Sequence, residues 1–251
     1  GEARRGHRDG PRVERGAVSL RDYLFYEEPG ITLYCGDCRE VLPLLEPESA
    51  GLVLVDPPYN VGKNYGQHDD DMEPAEYQIW LVEVFSGCAA IAIDAVVFFP
   101  GTRNVWTVAE VLSKTPLRPY RMLGWHRREF AGDKWTGGPA MCWEPIIWAT
   151  KAETPAFNRV FGTTGRDFLA VDSTHGDPLT ALHPCPKPLR VVRWLVGLFA
   201  PASSLIIDPT SGTGTALLVA KESGRRAIGV EIEPKYCEIA VKRLRQEVLP
   251  L

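Results

Sequence analysis

Residues 204–248 read SLIIDPTSGTGTALLVAKESGRRAIGVEIEPKYCEIAVKRLRQEV, and their alternation decides the fold. SLIIDP is a short apolar run of strand length, closed by Asp208-Pro209. TGTALLVAKESG reads as a helix ended by Gly224, and RAIGVEI as a second strand. PKYCEIAVKRLRQEV reads as a helix opened by Pro234, since proline suits a first helical turn. Strand, helix, strand, helix in succession predicts an α/β fold with a doubly wound, mostly parallel sheet.

The same grammar extends toward the N-terminus. In HPCPKPLRVVRWLVGLFAP (183–201), Pro188 starts a helix running to about Phe199. ITLYCGD (31–37) is a strand and CREVLPLL (38–45) a short helix. GLVLVD (51–56) is a continuous apolar run, as in a strand buried on both faces, and it stops at Pro57-Pro58. AEYQIWLVEVFSGCAAI (75–91) is a helix, and AVVFFPG (95–101) a third buried strand. Residues 102–175 lose this order, apart from a strand at EPIIWAT (144–150). They hold Trp106, Trp125, Trp135, Trp143 and Trp148 among Gly- and Pro-rich loops. The expected organisation is a partly disordered arm (1–30), one half of a domain (31–101), a small insert (102–182) and the other half (183–251).

The chain has 251 residues, 45% hydrophobic and 24% charged, enough to bury one substantial core, so global disorder is excluded. The longest apolar stretch, Ala89–Pro100, is too short to span a bilayer and carries Asp94, so no membrane partner is expected. The N-terminal stretch is Arg-rich and lacks an apolar run, so no secretory signal is expected. Cys35 and Cys38 form a CxxC without a second pair, and the other four cysteines are scattered. Buried reduced thiols, a cytoplasmic location and no metal are expected, and His126, His175 and His183 suggest no ligand set. Asp69, Asp70 and Asp71 read as a solvated acidic loop. Charge is uneven: residues 31–100 hold 2 basic and 12 acidic side chains, while 101–175 and 176–251 each hold 10 and 7. A polyanionic partner would approach the later part of the chain.

Two motifs carry chemistry. DPTSGTGT (208–215) follows a strand and opens a helix, and Gly212 and Gly214 let the backbone turn tightly against a ligand. No Lys follows the glycines, which excludes a phosphate-binding P-loop, and the third Gly of a dinucleotide fingerprint is missing. Glu231, at the end of the next strand, is placed to accept hydrogen bonds from two ribose hydroxyls. The second motif, Asp56-Pro57-Pro58-Tyr59, sits where a buried parallel strand ends. The prolines make the turn rigid and fix the Asp56 carboxylate and the Pro57 carbonyl as two acceptors beside a flat ring. An aromatic amino group donates two hydrogen bonds, and two acceptors pulling on both make its nitrogen more pyramidal and more nucleophilic.

DPPY followed much later by DPxxGxGT resembles the exocyclic-amino DNA methyltransferases that use S-adenosylmethionine. The order, with DPPY first, a variable middle and then the cofactor loop, resembles their β group. LYCGD (33–37), HPCPKP (183–188) and GVEIEPKYCEIA (229–240) are similar to further segments of that group. The resemblance covers roughly residues 31–100 and 183–245. It implies a Rossmann-like methyltransferase fold with a target-recognition insert, and a bacterial or phage-encoded enzyme. It places Asp37, Lys187, Pro188, Asp208, Thr210, Ser211, Gly212, Gly214, Thr215 and Glu231 around the cofactor. It makes Asp56, Pro57, Pro58 and Tyr59 catalytic, acting on a base flipped out of double-stranded DNA. DPPY rather than SPPY leans toward adenine N6 as acceptor, with cytosine N4 the rival. Thr210 stands where the family usually has an aromatic, and Pro186 where it has Gln. Pro184-Cys185 resembles the nucleophile of cytosine-C5 enzymes, but no acid lies near it in sequence to protonate the ring. In the insert, Arg118, Arg121, Trp125, Arg127 and Arg128 are the expected DNA contacts, since Arg suits phosphate and guanine and aromatics stack on bases. The insert is short, so a homodimer sharing recognition is a further expectation. Readings of another class are a non-catalytic DNA- or cofactor-binding module and a dinucleotide-dependent oxidoreductase.

Overall fold

A computed structural model of the protein describes residues 18–127, 142–153, 166–171, 183 and 185–246. Among them, one sheet is built from β1 (Leu24–Glu28), β2 (Ile31–Cys35), β3 (Ala50–Val55), β4 (Ala92–Phe98), β5 (Arg118–Arg127), β6 (Trp143–Thr150), β7 (Phe168–Val171), β8 (Leu205–Asp208) and β9 (Arg226–Glu231). The spatial order is β1-β2-β9-β8-β3-β4-β6-β5-β7. The strands from β2 to β4 in that order run parallel, and β1 and β6 close this block antiparallel on either side. The fold is therefore the α/β, mostly parallel architecture expected.

The block is apolar because it is covered on both faces. Leu52 and Leu54 of β3 face one core, with α5 (Leu189–Phe199), α6 (Thr215–Glu222) and α7 (Pro234–Arg245). Val53 and Val55, one residue out of phase, face the other core, with α2 (Cys38–Val41), α3 (Pro74–Ile91) and α4 (Gly101–Leu112). All four of these β3 residues are at most 3% exposed.

Five elements were not anticipated. The arm boundary at residue 30 leaves β1 and the one-turn helix α1 (Leu20–Tyr23) on its far side, although β1 pairs with β2. Helix α4 begins GTRN and is rich in β-branched residues, yet Val108, Val111 and Leu112 bury one face of it. Strand β5 reads as an Arg-rich cluster because its first half, Arg118–Met122, is exposed, while β7 is only four residues long. The insert extends the same sheet, β6 pairing with β4 and β5 with β6. Among the described residues no helix is long and apolar enough to cross a membrane.

Candidate active site

The parallel block aims its strand ends at one rim, where β2, β9, β8, β3 and β4 deliver Asp37, Glu231, Asp208, Asp56 and Phe99. A cavity of about 510 Å³ opens there, lined by residues of both motifs. Strand β8 lies between β9 and β3, so the segment encoded late sits beside the segment encoded early. The Asp56 backbone N–H donates to Thr210 Oγ1 at 3.0 Å, joining the two directly. The residue that departs from the family pattern thus ties the glycine loop to the DPPY turn.

The Asp56 carboxylate is held at both oxygens. Tyr59 OH donates to Oδ1 at 2.8 Å and Lys187 Nζ to Oδ2 at 2.7 Å. Lys187 also donates to Tyr59 OH at 3.0 Å. The turn is braced from outside: Tyr77 OH donates to the Pro58 carbonyl at 2.7 Å, and Asn104 Nδ2 to the Tyr59 carbonyl at 2.6 Å. Among the described residues no group donates to the Pro57 carbonyl. Burial, with Asp56 beside it, pushes the Tyr59 phenol well above its ordinary range, so it stays a donor.

In the glycine loop, Gly212 and Gly214 have φ of +51° and +76°, a region that favours glycine. A Cβ on Gly214 would lie 2.8 Å from that of Ala240, so this position also needs glycine for room. Gly212 N donates to Glu231 Oε2 at 2.7 Å and Glu233 N to Glu231 Oε1 at 2.8 Å. Backbone N–H groups thus hold both carboxylate oxygens. Burial pushes Glu231 up to about 7 and Asp208 up to about 8. Ser211 Oγ is buried without a hydrogen-bond partner among the described residues. Pro188 precedes the first residue of α5, and Thr215 opens α6. Asp37 caps α2 through Arg39 N at 2.8 Å and lines the cavity. Burial works to raise its pKa, but the hydrogen bonds and charge of Arg39 hold it below the usual carboxylate value. Burial pushes His183 down to about 4, leaving a neutral ring packed edge-on against Tyr236.

The loop after DPPY corrects one expectation. Asp70 is 3% exposed and organises that loop, accepting from the N–H groups of Asn60 (2.7 Å), Val61 (3.1 Å) and Lys63 (2.9 Å). Three successive aspartates read as solvated, and only the folded loop shows the middle one turned inward. The loop is tied across the cavity by Gln67 N, which donates to Glu233 Oε2 at 3.0 Å, and by Lys63 Nζ, 2.5 Å from Cys185 Sγ. Sequence reasoning also missed Asn104 and Tyr77, whose contacts with the DPPY turn cross 45 and 19 residues.

The expected DNA contacts separate along β5. Trp125 is 3% exposed and packs in the core beside α5, so it is a core residue rather than a surface one. Strand pairing places Met122 opposite Ile147, which pairs with Phe98 at the rim that carries Asp56. Arg121 lies one step below that level, and Arg118, paired with Thr150, lies toward the opposite end of the sheet. Arg127 projects past the rim, about 30 Å from Arg118 at some 3.3 Å per residue. Exposed Trp143 and Phe168 flank the projecting end. Arg128 lies outside the described residues. Among the described residues no group of His, Cys, Asp and Glu is arranged to hold a metal.

A family model for N6/N4 methylases, described as DNA methylase, matches residues 102–242. The Type II methyltransferase M.HpaI of Haemophilus parainfluenzae is 25% identical over 236 residues, covering 86% of this chain and 74% of that protein. The structure of M1.HpyAVI in complex with SAM superposes with a TM-score of 0.67 at 21% identity, covering 86% of this chain and 99% of the other. The cytosine-N4-specific PvuII DNA methyltransferase superposes with a TM-score of 0.72 at 18% identity, covering 88% of each chain.

Proposed function

The chain belongs to the DNA methylase family, and on that premise we propose that it methylates adenine N6 in double-stranded DNA, using S-adenosylmethionine. The observation that carries this reading is the hydrogen bond from Asp56 N to Thr210 Oγ1, which sets an amino-group acceptor against the glycine loop. The loop suits a nucleoside ligand. It offers the Glu231 carboxylate at the end of β9, the buried hydroxyl of Ser211 and a turn that a Cβ on Gly214 would obstruct. The likeness to M1.HpyAVI, whose structure holds SAM, supports the choice of cofactor.

When bound, S-adenosylmethionine supplies an electrophilic methyl group on a sulfonium. The protein's residues prepare the acceptor. The Asp56 carboxylate and the Pro57 carbonyl accept the two hydrogens of the target amino group, and Tyr59 supports the flipped base by stacking. Holding both hydrogens localises the nitrogen lone pair, which would accept the methyl group the bound cofactor supplies, and the Asp56 carboxylate would take the surplus proton from nitrogen. Pro57 and Pro58 limit the turn's freedom, and Tyr77 and Asn104 brace it. DNA approaching this rim would meet the end of β5, where the backbone places Arg127.

Adenine is favoured because the acceptor turn opens with a carboxylate rather than a serine. Methylation-aware sequencing of DNA from cells expressing the chain tests this reading. N6-methyladenine at a defined sequence is the expected result, N4-methylcytosine would transfer the mechanism to the other base, and unmodified DNA would overturn the assignment.

A further inference from the structure

Lys187 lies deeper in the site than a cofactor contact alone requires. Its side chain is 9% exposed, and its ammonium meets Asp56 Oδ2 at 2.7 Å and Tyr59 OH at 3.0 Å. It sits 5.3 Å from the centre of the Tyr59 ring and 5.2 Å from that of Phe99, two faces that attract a cation. A lysine is seldom this buried unless it is paired.

The surroundings explain why Asp56 needs such a partner. Its carboxylate faces Asp208 from the end of β8 and, beyond it, Glu231 from the end of β9. From its own loop come Tyr59 and Tyr65, with Asp70 and Lys63 farther along. The segment before α5 brings neutral His183, Cys185 and Lys187, and α3 brings Tyr77. Asp56, Asp208 and Glu231 crowd this part of the rim, and like charges in close quarters favour protonation of one of them. A protonated Asp56 would carry a donor where the target amino group needs an acceptor.

We propose that Lys187 is a positioning residue, the built-in counter-ion that keeps Asp56 ionised and aimed for the incoming amino group. The inference rests on the methyltransferase reading for its purpose, but the ion pair is testable without turnover. Lys187 need not leave when the base arrives. Each Asp56 oxygen keeps one lone pair beyond the bonds from Tyr59 and Lys187, and the amino group takes one of these.

The experiment titrates the Asp56 carboxylate by carbon NMR in protein labelled at aspartate, assigned with Asp56→Asn, in wild type, Lys187→Met and Lys187→Arg. Removing the charge should raise the Asp56 pKa by about 1–3 units, while Arg keeps it close to wild type. The acid limb of the pH profile of methyl transfer should move upward by the same interval. Lys187→Gln replaces Met if that variant does not fold. An Asp56 titration that stays put in the uncharged variant overturns the proposal, as does a loss confined to cofactor affinity. If the wild type transfers no methyl to DNA, the proposed function fails, and the NMR titration still decides the role of Lys187.

Discussion

At the end of β3, Asp56, Pro57, Pro58 and Tyr59 lie next to one another in sequence and act in one place. Along β5, Arg118, Arg121, Trp125 and Arg127 are nearly as close in sequence, yet they occupy the two ends and the inside of the sheet. A rigid turn keeps its residues together whatever the fold around it does. A strand separates them, because each step advances about 3.3 Å and flips the side chain to the other face. Contiguity in sequence is therefore evidence of a shared site in a turn, and weak evidence of one in a strand.

Substitutions on either side test this contrast. The largest effect belongs to the turn. Asp56→Ala should lower methyl incorporation from radiolabelled cofactor by about 10³-fold or more, while calorimetry shows S-adenosylhomocysteine still binding. Near-normal turnover in that variant would remove the turn from the chemistry. Next is Trp125→Ala, which should destabilise the fold by about 3–5 kcal/mol in urea unfolding and leave the DNA affinity of the folded protein unchanged. Weaker DNA binding at unchanged stability would return Trp125 to the surface role its neighbours suggested.

The buried carboxylates give a pH signature of intermediate size. The folded-state values of Asp208 and Glu231, about 8 and about 7, lie above those of the unfolded chain, so the folded protein binds more protons over that interval. Stability is then lost as pH rises through it. His183, pushed down to about 4, works in the opposite sense, but only below its ordinary value of about 6.5. Between about pH 6.5 and 8 the carboxylates act alone. Thermal denaturation should show stability falling across that window, with a shallower fall in Asp208→Asn. An identical slope in the variant would mean that Asp208 is not the titrating group. The smallest effect is on DNA binding: Arg127→Ala should reduce the slope of log affinity against log salt by about one, and Arg118→Ala should leave it unaltered.

The same contrast describes what could be read from the amino-acid sequence. The parallel block was legible because burial on both faces demands unbroken apolar runs, and GLVLVD and SLIIDP supply them. The two motifs were legible because glycine and proline state their backbone geometry directly. What escaped depends on distant partners. Asp70 looks like its neighbours Asp69 and Asp71 until three backbone N–H groups converge on it. The reach of Lys187 to Asp56 crosses 131 residues, and no local pattern announces it. Strand β5 hid behind its arginines, because its exposed half carries the charges and its buried half is short.

The placement of β8 between β9 and β3 carries a consequence for biosynthesis. A ribosome delivers β8 long after β3, so β3 waits for that neighbour, and the bond between Asp56 and Thr210 closes a loop of 154 residues. Pairings this remote are slow to form, because the closure entropy falls due before any contact offsets it. Until then β3 offers an open edge to any other strand, so the nascent chain is most prone to mispairing and aggregation while Asp56 already exists but has no glycine loop beside it.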